Sequence, residues 1–251
     1  MTRNILKRGV FFLMNVTLMV FVAYTVGIFQ HNYTFMPDYA RFIGPAVMIE
    51  YPIVDSENKE YTMLGSGTAI AKRQLANGTW EIDILTVKHV IGNAKNEENG
   101  IVTWKPLTIT RWVIPYNGTS PVFIQQQGHV VRLSEKYDLA LVRVTSGDPF
   151  PTAEIARTQV KIGETVCAVG SPNGLPPTLT CGRMSFDSYK LPGYDTEVLY
   201  TNTLVWSGNS GGALYNEKYE LVGVSMSLWG SPHLSFFVKL EHILEFLHEY
   251  V

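Results

Sequence analysis

The sequence predicts an all-β domain, either a barrel or a sandwich, that follows an apolar N-terminal segment and ends in one helix. From Pro45 to about Val238, short runs rich in β-branched and aromatic residues alternate with turns rich in Gly, Pro and Asn. Runs of this length at regular spacing are typical of sandwiches and barrels. The predicted strands cover residues 46–51, 67–71, 80–87, 101–104, 122–124, 130–133, 139–144, 165–169, 178–184, 197–203, 213–215, 221–227 and 235–238.

An uncharged apolar stretch occupies residues 9–29 near the N-terminus. A helix of about 20 apolar residues spans a bilayer, so this stretch is long enough to be a transmembrane helix. Three cations precede it, and the next cation after it is Arg41; the three are Arg3, Lys7 and Arg8. Because positive charge stays on the cytoplasmic side, the N-terminus is expected in the cytoplasm.

These observations divide the chain into four segments. We predict a basic cytoplasmic N-terminus over residues 1–8, a transmembrane signal-anchor helix over 9–29, a tether over 30–44, and a folded domain over 45–251. The folded domain would then lie on the periplasmic or extracellular side of the membrane. The alternative is a cleaved signal peptide, whose removal would make the protein secreted.

Composition excludes several classes of protein. The chain is 46% hydrophobic and 17% charged, with a formal net charge of -2. Disordered chains are poorer in aromatic residues, and nucleic-acid binders usually carry a basic excess. Two cysteines are too few for a cysteine-based zinc cage, and the histidines have no metal-like spacing. We therefore expect no nucleic-acid partner, no metal and no cofactor.

The segment after the last predicted strand has the pattern of a helix. Leu240, Ile243, Leu244 and Leu247 recur at helical spacing and form one apolar stripe. This pattern predicts a C-terminal helix over 239–251 that packs against the β domain.

A glycine-rich turn surrounds Ser210 in the sequence Trp-Ser-Gly-Asn-Ser-Gly-Gly-Ala-Leu, residues 206–214. A tight turn of this kind exposes the serine hydroxyl, and the N–H groups of Gly208 and Ser210 can point at one position. An attacking hydroxyl beside such donors is what nucleophilic acyl transfer requires. The alternative is a glycine-rich turn with a solvated serine.

Two further residues gain significance from their order along the chain. His89 ends an apolar strand and Asp138 begins another. Taken singly, each is better explained as a core histidine or a turn residue. With Ser210 they form the order His, Asp, Ser, in which the histidine takes the serine proton and the aspartate holds the imidazole tautomer.

Five short motifs together resemble a known family. They are Gly-Ser-Gly-Thr-Ala-Ile at 65–70, Thr-Val-Lys-His-Val at 86–90, Asp-Leu-Ala-Leu-Val at 138–142, Gly-Ser-Pro-Asn-Gly-Leu at 170–175 and Gly-Asn-Ser-Gly-Gly-Ala-Leu at 208–214. In this order they resemble the trypsin-like serine proteases of the double β-barrel fold, and in particular the HtrA/Deg branch. The resemblance covers roughly residues 45–245.

This resemblance implies the architecture of the domain. Two six-stranded antiparallel β-barrels are expected, the first over about 45–150 and the second over about 151–238. The C-terminal helix at 239–251 would follow them.

The resemblance also implies the catalytic roles. His89 would be the base, Asp138 the orienting acid and Ser210 the nucleophile, with the N–H groups of Gly208 and Ser210 forming the oxyanion hole. The expected activity is cofactor-free endopeptidase cleavage of proteins or peptides. A catalytically silent peptide-binding protein on the same fold and a serine esterase are the alternatives.

Two departures from the HtrA pattern are visible. Those proteins usually carry a PDZ domain after the protease, and this chain has no room for one. Where the family often has an Asp eight residues before the serine, this chain has Asn202. Regulation by peptide sensing and assembly into trimers are therefore not carried over.

Substrate preference also follows from the resemblance. In the resembled fold, the residue six positions before the nucleophile lies at the base of the pocket for the residue preceding the scissile bond. Here it is Leu204, which implies a preference for an apolar residue rather than Lys or Arg. The segment that resembles the substrate-pairing strand, a form of β-augmentation, consists of Val224, Ser225, Met226 and Ser227.

The two cysteines lie on predicted strands on either side of a loop. If those strands form a hairpin, Cys167 and Cys181 can face each other. An oxidising compartment would permit a disulfide between them, and two reduced thiols are the alternative.

Overall fold

The computed structural model describes residues 39–54, 59–92, 95–98, 101–113, 122–191, 196–226 and 234–248. The described residues from Ala40 onward form one compact unit. The predicted anchor at 9–29 lies outside the described residues. Over the ranges just given, no helix is long and apolar enough to cross a membrane.

The first half of the domain forms a closed barrel. Its elements in chain order are α1 (Tyr39–Ile43), β1 (Ala46–Val54), β2 (Glu60–Gln74), β3 (Trp80–Thr86), α2 (Lys88–Gly92), β4 (Lys95–Glu98), β5 (Ile101–Trp104), β6 (Leu107–Val113), β7 (Val122–Leu133) and β8 (Ala140–Ser146). Six antiparallel strands close in the order β1-β2-β3-β8-β7-β6, while β4 and β5 pair with each other. The barrel core includes Val47, Ile49, Ile82, Ile84, Leu107, Ile109, Val142 and Val144, each at most 1% exposed.

The second half forms a second closed barrel followed by a helix. Its elements are β9 (Glu154–Ile155), β10 (Thr165–Gly170), a 3-10 turn (Pro172–Gly174), β11 (Thr178–Lys190), β12 (Glu197–Thr201), β13 (Ala213–Tyr215), β14 (Glu220–Ser225), β15 (Ser235–Lys239) and α3 (Leu240–His248). The six antiparallel strands run β13-β10-β11-β12-β15-β14, and β14 pairs back to β13. The short β9 adds to β14 in parallel. The predicted all-β fold of two six-stranded barrels and a C-terminal helix is thus confirmed.

One strand of the first barrel is longer than predicted. The expected strands at 122–124 and 130–133 are a single strand, β7, which pairs with β6 on one side and β8 on the other. Its polar middle includes Gly128, where an added Cβ would lie 2.8 Å from Ile109 Cγ1. The glycine therefore permits a close approach inside the barrel and does not mark a turn.

Strand β6 was missed, although its sequence alternates. Leu107 and Ile109 are fully buried, whereas Thr108 between them is only partly buried. This is the period of two that marks a strand with one face on the core. The pairing of β6 with both β1 and β7 closes the barrel, so the list of predicted strands lacked one of the six strands of the predicted barrel.

The two cysteines face each other across the β10–β11 hairpin. Cys167 and Cys181 are paired residues in the register, and their sulfur atoms are joined in a disulfide. Cys167 is buried and Cys181 is exposed. The bond therefore links the interior of the second barrel to its surface next to the loop at 170–178.

Removing this disulfide is expected to lower the free energy of unfolding by about 3 kcal/mol, the value for a closed loop of about 15 residues. The sequence separation of the two cysteines is 14. Thermal unfolding of the wild type should shift to lower temperature in reductant, toward the value of the Cys167→Ser/Cys181→Ser double variant. The double variant should not respond to reductant. A wild-type transition that reductant leaves unchanged would contradict the bond.

Candidate active site

His89 lies where the third strand ends and a short helix begins. Strand β3 carries buried Leu85 and Thr86 to the rim of the first barrel, and α2 begins two residues later. The His89 side chain is 42% exposed, although Val90 beside it is buried. The backbone at His89 is therefore next to the core, while the imidazole ring is open to solvent.

Asp138 holds this histidine at two points. Its Oδ2 lies 2.6 Å from His89 Nδ1, and its Oδ1 accepts a hydrogen bond of 2.9 Å from the His89 backbone N–H. The carboxylate is only 11% exposed. Because an ionised carboxylate only accepts hydrogen bonds, Nδ1 carries the proton in neutral His89, and Nε2 is left as an acceptor. That is the tautomer of a general base.

The turn that carries Asp138 is held from two sides. Ser134 Oγ accepts a hydrogen bond of 2.9 Å from the Tyr137 N–H, and the Ser134 carbonyl accepts one of 3.0 Å from Lys88 Nζ. The ring of Tyr137 stacks on His242 of α3 at 4.2 Å between centroids. Its hydroxyl donates to Glu245 on the same helix. The C-terminal helix of the second barrel thereby supports the aspartate of the first.

Burial and hydrogen bonding shift the pKa values of the side chains behind this turn. Desolvation raises the pKa of Tyr137, and the hydrogen bond to Glu245 raises it further. Desolvation also lowers the pKa of His242, which favours its neutral form. The pKa of Glu245 is lowered, mainly by its hydrogen bond from Lys136 Nζ at 2.8 Å. A neutral tyrosine and an ionised glutamate therefore face each other at neutral pH.

Ser210 lies in a turn whose backbone only glycine can adopt. Gly208 and Gly211 have φ angles of +94° and +89°. A Cβ on Gly211 would come within 2.1 Å of the Ser66 carbonyl oxygen and 2.2 Å of Thr86 Oγ1. Ser210 itself is 7% exposed. Gly208 and Gly211 are thus required by conformation, and Gly211 also by its close packing against the first barrel.

The serine turn is attached to the histidine strand through Ser66 on β2. The Ser66 N–H donates to the Ser210 carbonyl at 2.7 Å, and the Ser66 carbonyl accepts from Thr86 Oγ1 at 2.7 Å. Thr86 is three residues before His89 on the same strand end. Hydrogen bonds through Ser66 therefore connect the backbone of Ser210 to Thr86, three residues before His89. Across the described ranges, no hydrogen bond joins the Ser210 hydroxyl to His89, and such bonds often form only with substrate bound.

Among the described residues of this turn, two buried ones have backbone N–H groups without an acceptor. The N–H groups of Asn209, Gly211 and Gly212 donate to carbonyls of Trp206, Ser225 and Asn209, at 2.9, 2.7 and 2.9 Å. In the part of the chain that the structure describes, those of Gly208 and Ser210 donate to no acceptor. Both residues are buried. Buried N–H groups without a partner are rare, and here they are the two predicted to form an oxyanion hole.

The predicted specificity residues have different environments. Leu204 is 53% exposed, and its carbonyl accepts from Thr180 Oγ1 at 2.6 Å, while Val205 next to it is buried. A contact between Leu204 and substrate stays a prediction.

The predicted substrate-pairing segment is bonded within the second barrel. The backbone of Val224 pairs with Ala213 and Val238, and Ser225 exchanges bonds with the serine turn. The Met226 N–H donates to the Phe236 carbonyl at 3.0 Å, and pairing of this segment with a substrate stays a prediction. Ser227 lies outside the described residues.

The polar residues behind the serine turn were not predicted from the sequence. Ser66 and Ser171 are at most 1% exposed and contact the turn or its neighbours, as does Asn173. All three lie in motifs that the resemblance had singled out, but their spacing alone assigns them no role. No group of three or more His, Cys, Asp or Glu side chains among the described residues could hold a metal ion.

Comparison with known proteins identifies the family. The family model of the trypsin-like peptidase domain matches residues 65–224. "Putative protease Do-like 14" of Arabidopsis thaliana is 30% identical over 223 residues, which cover 84% of this chain and 47% of that protein. Serine protease HTRA1B of Danio rerio is 27% identical over 228 residues, 88% of this chain and 42% of that protein. Serine protease HTRA2, mitochondrial, of Bos taurus is 34% identical over 117 residues, 44% of this chain and 25% of that protein.

The first two matches extend over most of this chain, and all three cover less than half of the relative. The family-model match includes all three candidate catalytic residues, His89, Asp138 and Ser210, within the range 65–224. The fold of two closed barrels agrees with that assignment. The chain therefore belongs to the family of trypsin-like peptidases and is similar to its HtrA/Deg members.

Proposed function

We propose that this protein is a serine endopeptidase that uses His89, Asp138 and Ser210. The observation that supports this most strongly is the two-point hold of Asp138 on His89, at 2.6 and 2.9 Å, beside a serine turn with two unpaired N–H groups. The proposal assigns a base, an orienting acid, a nucleophile and oxyanion donors, which is the full set that acyl transfer needs.

The proposed reaction has two stages. Ser210 Oγ attacks the scissile carbonyl carbon while His89 Nε2 takes the hydroxyl proton, and the carbonyl oxygen becomes an oxyanion bound by the N–H groups of Gly208 and Ser210. The C–N bond then breaks, and the departing amine leaves with the proton from Nε2. Water attacks the remaining ester with His89 again as base, which releases the acid and restores the serine.

We propose protein or peptide substrates with an apolar residue before the scissile bond. Leu204 and Trp206, shortly before Ser210 in the sequence, are both exposed apolar side chains. A preference for Lys or Arg would need an acidic residue at the position that Leu204 occupies. Cleavage of a peptide library by the wild type should therefore be dominated by sites after apolar residues.

The Ser210→Ala variant, prepared in the same way, supplies the background for that library. Peptides cut by both preparations come from a contaminant and are removed from the profile. Dominant cleavage after Arg or Lys would overturn the proposed preference. Hydrolysis of ester substrates without any peptide cleavage would overturn the endopeptidase assignment and favour an esterase.

We also propose that residues 9–29 anchor the protein in a membrane with the peptidase domain on the periplasmic or extracellular side. The uncharged apolar stretch and the cations before it support this topology, and a disulfide is typical of an oxidising compartment. The full chain should remain in the membrane pellet after alkaline carbonate extraction. A variant lacking residues 1–38 should be released, and release of the full chain at its full mass would contradict the anchor.

A further inference from the structure

Ser66 occupies a central position between the two barrels. It is 1% exposed on β2, within the Gly-Ser-Gly motif to which the proposed mechanism assigns no task. Its hydroxyl donates to the Gly208 carbonyl at 2.7 Å and accepts from the Ser171 N–H at 2.8 Å. Its backbone is bonded to the Ser210 carbonyl and to Thr86. Every polar group of this one residue is thus engaged at the candidate active site.

The Gly208 N–H belongs to the peptide group between Ser207 and Gly208. The carbonyl of that group, on Ser207, accepts a hydrogen bond of 2.8 Å from the Asn173 N–H. In a trans peptide the C=O and N–H groups point in opposite directions. Fixing the Ser207 carbonyl toward Asn173 therefore directs the Gly208 N–H to the opposite side, away from Asn173.

Gly208 needs such restraints because it has no side chain to limit its backbone. Its φ of +94° lies where glycine moves freely, and a Cβ there would meet the Ser171 carbonyl oxygen at 2.6 Å. The Ser66 hydroxyl restrains the peptide on the C-terminal side of Gly208 directly. Through Ser171 it also holds the loop whose Asn173 restrains the peptide on the N-terminal side.

We propose that Ser66 is a positioning residue for the oxyanion hole, whose hydroxyl fixes the two peptide planes on either side of Gly208. This inference rests on the proposed endopeptidase function. Ser66 touches neither substrate nor the reacting atoms, and it acts through the direction of the Gly208 N–H.

Ser66→Ala removes the hydroxyl that holds both peptide planes and leaves the backbone bonds of residue 66 in place. Removing an oxyanion donor outright lowers kcat by roughly 100- to 1,000-fold. In Ser66→Ala the donor is present but poorly directed, so we expect a smaller decrease in kcat, roughly 10- to 100-fold. KM should be unchanged, because the substrate ground state carries no oxyanion.

The matched control is Ser146→Ala. Ser146 is also a buried first-barrel serine, 4% exposed, whose hydroxyl accepts one backbone bond, from Asp148. It pairs with Trp80 at the far end of β3, roughly 20 Å from Thr86 at about 3.3 Å per residue. Its loss tests the effect of removing a buried serine hydroxyl from this barrel without touching the serine turn.

The decisive readout compares two ligands of the wild type and both variants. A peptide boronic acid forms a tetrahedral adduct with the nucleophile, whereas the corresponding product peptide does not. Ser66→Ala should weaken boronate inhibition by the same factor as kcat and leave product-peptide inhibition unchanged. Ser146→Ala should change neither. Equal kcat and equal boronate affinity in the two variants would overturn the role of Ser66.

A second measurement covers the case in which Ser66→Ala fails to fold. In a crystal structure of the wild type with the peptide boronate, the Ser66 hydroxyl should bond the Gly208 carbonyl while the Gly208 N–H binds a boronate oxygen. A bound boronate with the Ser66 hydroxyl turned elsewhere would overturn the proposal. A wild type that neither cleaves peptides nor binds the boronate would instead overturn the endopeptidase function on which the inference rests.

Discussion

Replacing Ser210 by alanine is expected to lower kcat by roughly 10⁶-fold, the order found when the nucleophile of a serine protease is removed. Ser210 is the only side-chain nucleophile in the proposed reaction, and Gly208, Gly211 and Gly212 keep its turn in place without it. Its carbonyl still accepts from Ser66, so the fold should be retained. Peptide hydrolysis measured under saturating substrate, with thermal unfolding of the same samples, tests both statements.

The matched control for Ser210 is Ser185→Ala. Ser185 is a serine on β11 outside the serine turn, and its hydroxyl donates only a long bond of 3.5 Å to Arg183. Its removal should leave kcat unchanged. Peptidase activity in Ser210→Ala within tenfold of the wild type, once contaminants are excluded, would show that another group carries the reaction.

Replacing Asp138 by asparagine is expected to lower kcat by roughly 10⁴-fold. The asparagine Oδ1 can still accept from the His89 N–H, so the local backbone should be preserved. Its amide donates at the position where the carboxylate accepted from Nδ1, which favours the tautomer with the proton on Nε2. That tautomer cannot take a proton from Ser210, and the imidazolium also loses the charge that stabilises it.

Asp148→Asn is the control for this change, because Asp148 is an exposed acid that follows β8 at the opposite end from Asp138. It should retain the wild-type kcat. An Asp138→Asn variant with kcat near that of the wild type would show that Asp138 takes no part in the reaction.

The residues that could be predicted from sequence are those whose signal is local. Strands such as β3 and β10 are continuous apolar runs bounded by turns, and the structure has them almost as expected. The order of His89, Asp138 and Ser210 together with the glycine turn indicated the site. The contact of His89 with Asp138 follows from the pairing of β3 with β8, which barrel closure enforces.

The residues that could not be predicted depend on contacts far apart in sequence. Ser66 and Gly208 are 142 residues apart, and nothing in either motif indicates that one hydroxyl bonds the other's carbonyl. Strand β7 was divided because its polar middle resembles a turn, and only its neighbours β6 and β8 keep it extended. Packing between the two barrels decides the first feature, and closure of the first barrel decides the second. A strand-by-strand pattern contains neither.

The central claim is that Ser210 is a nucleophile activated by His89, and covalent labelling tests it most directly. We expect a fluorophosphonate probe to modify the folded wild type at one site, identified by tandem mass spectrometry as Ser210. The His89→Ala variant should be labelled far more slowly at that residue. Modification at another serine, or equal labelling rates in the wild type and His89→Ala, would contradict the account.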